Sequence, residues 1–467
     1  MDGFNANAGS FTSQAMAGFF ARSKDANSDM RSRQTIVERA RYLDCVSDVA
    51  RAFHSVMLGG VVGSGIRYAA PKRSTRLDYS GSGLEERWAD IASTTWFDAR
   101  GIKTFTQFEE LVFRTFLVSG ECWLFRMGHG WIAKEPDCIR TPKEFGKVDN
   151  VVELPNGNII IDGIELEDGR PVACYVCEAS KGEETYDRAE YMGDDGLPMV
   201  LHVFMQERPD QVRGLPLVAP IISQIWSCYA YGESETQMAI LQTNMSLIIT
   251  TNTNPTINPF AGLTVRDLDA PLVPPTEGEK AEPSKDFAWV PPMGDTGLFG
   301  IVDKAHYIKP GQTRHLSDGE DIKFVSPTAP HTGFIQFCEY QIRMMGAAIG
   351  IPEQVLSGRF DANFSAVKGA CSAFNHTVRR YRSVLVEQFL RPVFRVFLSE
   401  IVSDPEIADL IAFESQWLPN DSPLTLDPNK EIDFYLRAIE AGLITRDEAA
   451  EALFGHKANG EVVNAGT

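Results

Sequence analysis

Apolar residues recur every three or four positions from Ile36 onward, at Ile36, Ala40, Leu43, Val46, Ala50, Phe53 and Val56. That period lines one face of a helix, and Gly59-Gly60 predicts its end. Thr104-Phe105-Thr106-Gln107 has the form of a capping box. The helix it opens carries Phe105, Phe108, Leu111, Val112 and Phe116 on one side. The period then shortens. Gly120–Phe125 reads as a strand, and from 121 to 205 apolar runs alternate with Asn156-Gly157, Asp162-Gly163 and Asp168-Gly169, which are hairpin signals. An α+β domain is expected over 35–210. Residues 1–34 are mostly aperiodic and rich in Ser, Ala, Asn and Gly, which predicts a flexible arm.

Beyond this domain the pattern is mainly helical. Glu207-Arg208-Pro209-Asp210-Gln211-Val212-Arg213-Gly214-Leu215-Pro216-Leu217 combines Pro, which fixes φ, with Gly, which permits positive φ. The backbone must turn there before an apolar helix over about 215–250. Residues 251–300 break the helical period with Asn254-Pro255, Asn258-Pro259, Pro271, Pro274-Pro275, Pro283 and Pro291-Pro292, a loop-rich module between two helices. The second of these helices is expected at about 332–349, with Phe334, Phe337, Cys338, Gln341, Ile342, Met345 and Ile349 on one side. Gly350-Ile351-Pro352 stops it. A very long helix follows from Asn363 or Ser365 through Val367, Ala370, Cys371, Phe374, Tyr381, Val384, Leu385 and Phe389, and Pro392 is expected to kink it. The chain finishes as helix–turn–helix, with Gly442 ending one helix and Thr445-Arg446-Asp447-Glu448 capping the next.

Length and charge narrow the classes. At 467 residues two to four domains are expected. No apolar run approaches the roughly 18 residues of a membrane helix, and the start, Met1-Asp2-Gly3-Phe4-Asn5, lacks the basic flank of a secretory signal. The chain is therefore expected to stay in the cytoplasm where it is made, with no membrane contact. The net charge is −19, which argues against simple DNA binding by phosphate neutralisation. From Ile401 to Thr467 there are 13 Asp and Glu against 4 Lys and Arg, so 4 − 13 = −9 of that charge lies in the last seventh. Such acid either keeps a surface soluble or forms a wall that DNA passes without sticking.

Candidate chemistry is sparse. Cys174 and Cys177 form a lone C-x-x-C within an apparent strand, where positions three apart face opposite sides and cannot easily share a metal. Glycines at 60, 63 and 65 have the wrong order for a dinucleotide loop, and no P-loop Lys follows. There is no Walker A motif, H-E-x-x-H or nucleophile elbow. No cofactor, metal or catalytic activity is expected. An unrecognised enzymatic site using Cys122, His129 or His202 stays open as a rival reading, as does another connector or neck ring of a capsid.

Four segments, in chain order, resemble those of lambda-type tailed-phage portal proteins. Val61-Val62-Gly63-Ser64-Gly65-Ile66 resembles that family's V-G-S-G-I segment. Arg208–Pro216 resembles its R-P-G-Q-x-R-G-x-P, with Asp210 where Gly is usual. Ile349–Gly358 resembles L-G-I-x-Y-E-x-L-S-G, and Asn363-Phe364-Ser365-Ala366 resembles N-Y-S-S. The family continues with Ala-Arg where this chain has Val367-Lys368, keeping the cation but losing the guanidinium fork. Asp427-Pro428 to Gly442-Leu443 is similar to the family's D-P-x-K-E…A-G pattern. The shared residues Gly63, Gly65, Arg208, Pro209, Arg213, Gly214, Pro216, Gly350, Pro352 and Gly358 are expected to be structural.

The resemblance, over about 35–460, implies a portal-type fold assembling as a ring of about twelve copies at a capsid vertex in the virion. By position, 35–210 would be the wing, 211–250 a stem helix, 251–300 the clip, 301–349 a return segment and second stem helix, 350–364 the tunnel loop, 365–403 the long kinked helix and 404–467 the crown. It implies double-stranded DNA in the channel, and as partners the terminase large subunit, the major capsid protein and a head–tail connector or neck protein. Tunnel-loop candidates are Ser357, Arg359, Asp361, Asn363 and Lys368, with Arg359 and Lys368 as cations centring the strand. An exposed Arg359–Asp361 loop pair is the alternative reading. Arg379, Arg380 and Arg382 are too close in sequence to share one helix face; pairing across a subunit boundary is expected for at least one.

Overall fold

Ser47 splits the first helical pattern in two. In the computed structural model, which describes residues 26–29, 32–69, 83–145, 151–180, 183–244, 248–251, 320–323, 333–358, 364–419, 428–446 and 449–450, helix α1 spans Arg33–Val46 and α2 spans Asp48–Val61. Ser47 is extended, and its hydroxyl accepts from the Ala50 amide at 3.3 Å. A periodicity count cannot see this break, because both helices keep the same apolar residues buried on either side of the cap. The segment before α1, expected to be flexible, forms a helical turn at Ala26–Asp29, with Ala26 buried. Gly59-Gly60 does not end α2. A Cβ on Gly60 would come 2.9 Å from side-chain atoms of Phe374 and Val378, so this glycine admits a neighbouring helix.

Strand β1 (Ile66–Ala69) and helix α3 (Leu84–Ala92) lead to α4 (Phe105–Ser119). The expected capping box at Thr104 and Gln107 is formed, and Gly120 closes α4 in a left-handed conformation at φ 87°. Strands β2 (Glu121–Met127) and β3 (Gly130–Lys134) then form a three-stranded antiparallel sheet with β9 (Val200–Phe204), in the order β3-β2-β9. Between β3 and β9 the chain builds a five-stranded meander: β4 (Val151–Glu153), β5 (Ile159–Ile161), β6 (Ile164–Glu167), β7 (Arg170–Ser180) and β8 (Glu183–Glu190). The hairpin signals at 162–163 and 168–169 fall in its turns, with Asp162 and Asp168 both at φ 48° and a glycine after each.

Alternation along β2 separates two cores. Cys122 and Leu124 face the main core with the helices, whereas Trp123 joins a smaller cluster with Ile139, Ile164, Cys174, Val176 and Val200 between the sheets. The fold is thus mixed α and β, as the pattern implied.

Helix α5 (Ile222–Asn244) starts later than expected, after the short turn Ala219–Ile221, and 248–251 is a strand rather than helix. The chain divides into two compact units, one of residues 1–234 and 333–467 and another of 235–332. Of the second, the end of α5 and an antiparallel ladder of β10 (Ile248–Thr251) with β11 (Glu320–Lys323) are described. The proline-rich 251–300 lies, after Thr251, outside the described residues.

In the first unit, α6 (Phe334–Ile349) ends where expected, at Gly350 with φ 80°. The segment expected to be a loop, 350–364, holds a short helix, α7 (Glu353–Ser357). Then come α8 (Phe364–Leu385), one π turn (Val386–Leu390), α9 (Arg391–Ile401) and α10 (Pro405–Glu414). The π turn lies just before Pro392, which sits in the first turn of α9, where a missing amide donor costs least. Tyr381, Phe389 and Phe394 succeed one another along this rod. They meet Phe113 and Phe116, then Phe105 and Phe108, then Trp88, Tyr68 and Trp417. The C-terminal part, expected to be helical, also contributes β12 (Gln416–Pro419), antiparallel to β1, before α11 (Pro428–Glu440).

Candidate functional site

The turn at 207–217 is held from inside. Gln211, 3% exposed, accepts from the amides of Glu207 and Arg208 through Oε1 and donates through Nε2 to the Arg213 carbonyl at 2.7 Å. Asp210 sits at φ 61°, a left-handed position that explains glycine as the usual residue there. Asn27, from the helical turn before α1, donates to the Asp210 carbonyl at 2.9 Å and accepts from the Val212 amide at 3.2 Å. The end of the expected arm is therefore clamped onto this motif.

Arg213 is 1% exposed and enters the space between the two sheets. Its Nε and Nη2 donate to Glu121 at 2.8 and 2.5 Å, Nη2 also to the Pro136 carbonyl, and Nη1 to the carbonyls of Asp162 and Ile139. Glu121, fully buried at the start of β2, further accepts from Arg33 Nη1 at 3.2 Å, the Gly214 amide at 2.9 Å and His202 Nε2 at 2.9 Å. Asp162 lies 3.4 Å from both guanidiniums. Two cations face two carboxylates, so the formal charge of the cluster closes to zero with His202 neutral.

The electrostatics follow from this packing. Burial would push Glu121 up, but Arg213 and Arg33 outweigh it and hold the carboxyl well below its usual range. Burial lowers His202, with Glu121 opposing, so the ring stays neutral at neutral pH and its Nε2–H donates to Glu121. It stacks between Trp123 at 3.8 Å and Phe204 at 4.2 Å. A lysine in place of Arg213 has no planar fork with which to reach four acceptor groups.

Glycines at the same junction are required by space. A Cβ on Gly214 would fall 2.0 Å from the Gly120 carbonyl oxygen, and one on Gly120 2.3 Å from the Leu215 backbone. Of the other family-like residues, Gly63 (φ 54°), Gly65 (φ 117°) and Gly358 (φ 64°) occupy left-handed turns. A Cβ on Gly350 would meet the Thr377 hydroxyl at 2.6 Å, and that hydroxyl donates to the Gly350 carbonyl. Pro352 opens α7, and Pro216 accepts from the Ala219 amide as α5 approaches. Arg208 is half-buried in the turn and Pro209 exposed.

The remaining candidates are scattered. Ser357 ends α7, its hydroxyl donating to the Glu353 carbonyl, and Lys368 is exposed on α8. Arg359, Asp361 and Asn363 lie outside the described residues. The three arginines separate, as their spacing requires. Arg379 and Arg380 are exposed, whereas Arg382 donates to the carbonyls of Gly60 and Val61 at the end of α2. That is a C-terminal helix cap within the chain. Arg380 and Tyr381 also line a cavity of about 470 Å³ with Glu207, Pro216, Ile349 and Gly350, so two of the family-like segments meet around it.

Cys122 and His202, two residues of the enzymatic rival, do not meet. Register pairs Trp123 with His202 and Cys122 with Val203, so Cys122 and His202 face opposite sides of the sheet. Burial raises the Cys122 thiol far above its usual value. His129 stacks on Trp96 at 4.7 Å. Among the described residues, no group of three or more His, Cys, Asp and Glu is placed to hold a metal.

Sequence reasoning missed Glu121, Arg33, Asn27, Gln211 and Asp162. The available signal was an acidic residue directly after a helix-ending glycine, at the first position of a strand otherwise apolar through Phe125.

A family model described as phage portal protein, lambda family, matches residues 12–382. No curated protein sequence matches the chain. Among solved structures, a chain from the virion of a native gene transfer agent particle is 12% identical, with 92% of this chain and 94% of that one covered and a TM-score of 0.48. One from the neck of an empty gene transfer agent particle, computed with C6 symmetry, is 12% identical over 92% and 95% at 0.45. One from the neck of a native particle, computed with C12 symmetry, is 14% identical over 85% and 97% at 0.39.

Proposed function

This chain belongs to the lambda family of phage portal proteins, and from that premise we propose that about twelve copies close into a ring at the unique capsid vertex, around a channel for double-stranded DNA. The genome enters through this channel during packaging and leaves through it on ejection. The observation that carries the reading is the family match over 12–382, which includes the Arg208–Pro216 turn. The buried Arg213–Glu121 junction gives the motif a reason to persist, because its residues join the two sheets and the approach to α5.

Within that ring, 35–210 forms the wing, α5 and α6 the stem, 251–300 the clip, 350–364 the tunnel loop and 404–467 the crown. The terminase large subunit docks first and supplies the energy of translocation. A head–tail connector or neck protein replaces it, and the major capsid protein surrounds the wing. Assembly takes place in the host cytoplasm. The net charge of −19 supports a channel that DNA slides past, since affinity rises with each phosphate neutralised. Arg359 and Lys368 centre the strand, and Asp361 tempers them.

Electron microscopy of the purified full-length chain tests this directly. Closed rings with a central opening wide enough for duplex DNA are the expected result, and the images count the copies. A chain that stays monomeric under every assembly condition sinks the reading. Arg359→Ala tests the channel roles separately, with reduced packaging or retention of DNA expected at unchanged ring assembly.

A further inference from the structure

Arg379, Arg382, Ser383 and Val386 follow one another at i, i+3, i+4 and i+7, a single stripe along the rod of α8 and the π turn. With Arg391, the first residue of α9, this stripe makes one wall of a groove of about 460 Å³. The other wall is the run Ser415–Pro419, which contains β12. Three guanidiniums thus line the groove, and none of its described lining residues is acidic. In a chain of net charge −19 that is a local reversal of sign. Arg379 is exposed. Arg382 donates to the carbonyls of Gly60 and Val61, and Arg391 donates to both carboxylate oxygens of Glu387 at 2.6 Å.

The opposite wall is a strand edge. Successive side chains of a strand point to opposite faces, so a groove that touches five consecutive residues does not follow a face. It follows the backbone. β12 pairs with β1 through one edge, and among the described residues no strand pairs with the other. No residue of β1 is among those described along the groove, which therefore runs beside the unpaired edge. Alternate residues of an antiparallel strand turn their N–H and C=O away from their partner strand. Such an edge accepts an added strand.

The two walls select the same kind of occupant. Side chains two apart on an extended segment share a face and lie about 6.6 Å apart. Helix positions i and i+3, such as Arg379 and Arg382, lie roughly 5–6 Å apart at Cβ. Carboxylates at alternate positions of a strand therefore match these guanidiniums in spacing and in sign. A nucleic-acid duplex would engage the guanidiniums but leave the strand edge unpaired. We propose that this groove binds an extended acidic segment of a partner protein, laid along β12 as the third strand of its sheet. Every residue involved belongs to one protomer, so the proposal stands apart from the portal reading.

Fluorescence anisotropy with the full-length chain tests this. The probe is a labelled Val-Glu-Val-Glu-Val-Glu peptide, compared with the same peptide carrying Gln or Lys for Glu. Saturable binding of the acidic peptide that weakens as salt rises is expected, with the Gln peptide about tenfold weaker or more. Arg379→Glu should cost a similar factor at unchanged Tm, whereas Arg380→Glu, one position along and outside the groove, should leave binding unaltered. Hydrogen exchange within Gln416–Leu418 should slow when the acidic peptide is bound. Equal binding of all three peptides, or binding without that protection, overturns the proposal. So does duplex DNA that binds with the same dependence on Arg379 and displaces the peptide. Assembled chains that refuse the peptide while dissociated ones accept it assign the groove to a neighbouring copy and overturn the partner. No binding of the acidic peptide in any state leaves the arginines as charges that guard an edge, and also overturns it.

Discussion

The junction around Arg213 and the outer face of α6 are opposites. At the junction every guanidinium nitrogen of Arg213 has an acceptor, and Glu121 receives donors from four residues of one chain. On α6, Phe337, Tyr340 and Met344 are 40%, 56% and 50% exposed, although Met345 and Ile349 on the other side are buried. The first region is satisfied within the protomer. The second holds apolar surface that the protomer leaves to solvent, and an isolated soluble protein gains nothing by that arrangement. The chain thus separates two tasks. Buried polar groups define the shape of one subunit, whereas the apolar outer face of α6 stays uncovered in it.

The sharpest way to break the comparison is at its buried end. Arg213→Met removes the partner of a fully buried carboxylate and takes one donor each from the carbonyls of Pro136, Ile139 and Asp162. A loss of about 3–5 kcal/mol is expected in chemical denaturation of the protomer. A loss under 1 kcal/mol would mean that Arg33 and His202 suffice. Next comes the uncovered end. Phe337→Ser, Tyr340→Ser and Met344→Ser combined should leave protomer unfolding within about 1 kcal/mol yet abolish rings in micrographs. Rings that persist would place this face outside the contact between copies.

A third test uses a buried group that lacks a full set of partners. Glu109 is fully buried on α4, with Oε2 accepting from the Ile66 amide at 3.2 Å and Oε1 unpaired. Burial raises this carboxyl well above its ordinary value. Below the unfolded-state pKa it is protonated in both states. As pH rises past that value the unfolded chain releases its proton while the folded chain keeps it, so stability is lost until the folded pKa is passed. Glu109→Gln escapes this loss. Its Tm should match that of the native chain near pH 4 and exceed it by a widening margin toward pH 8. Equal Tm values across that range would refute the buried neutral acid. The smallest effect belongs to Arg379→Ala and Arg380→Ala, exposed on α8, each expected within about 0.5 kcal/mol of native stability. Any larger role for them lies between chains and should show only in association.

Much of the helical order was legible in the residues themselves. The capping box at Thr104, the stop at Gly350 and the hairpin turns at 162–163 and 168–169 are local, and local chemistry suffices to place them. What sequence spacing concealed depends on distant partners. Ser47 breaks a helix whose period continues through it. Gly60 looks like a terminator but serves the close passage of Phe374 and Val378. β12 is set by its pairing with β1, more than 340 residues earlier, which no short window contains. Of the motif residues, glycines could be anticipated from backbone freedom. The role of Arg213 could not, because Glu121 lies 92 positions away.

The π turn at Val386–Leu390 also governs the phase of everything that follows it. One additional residue in a helical turn rotates the downstream helix by about 100°. Phe394 and Phe397 therefore reach the Trp88 platform at 5.0 and 5.2 Å only because that rotation has been inserted upstream. Deleting a single residue between 386 and 390 would restore regular pitch and swing both rings away from their seat. The irregularity works as a splice, joining two differently aimed aromatic surfaces in one unbroken rod.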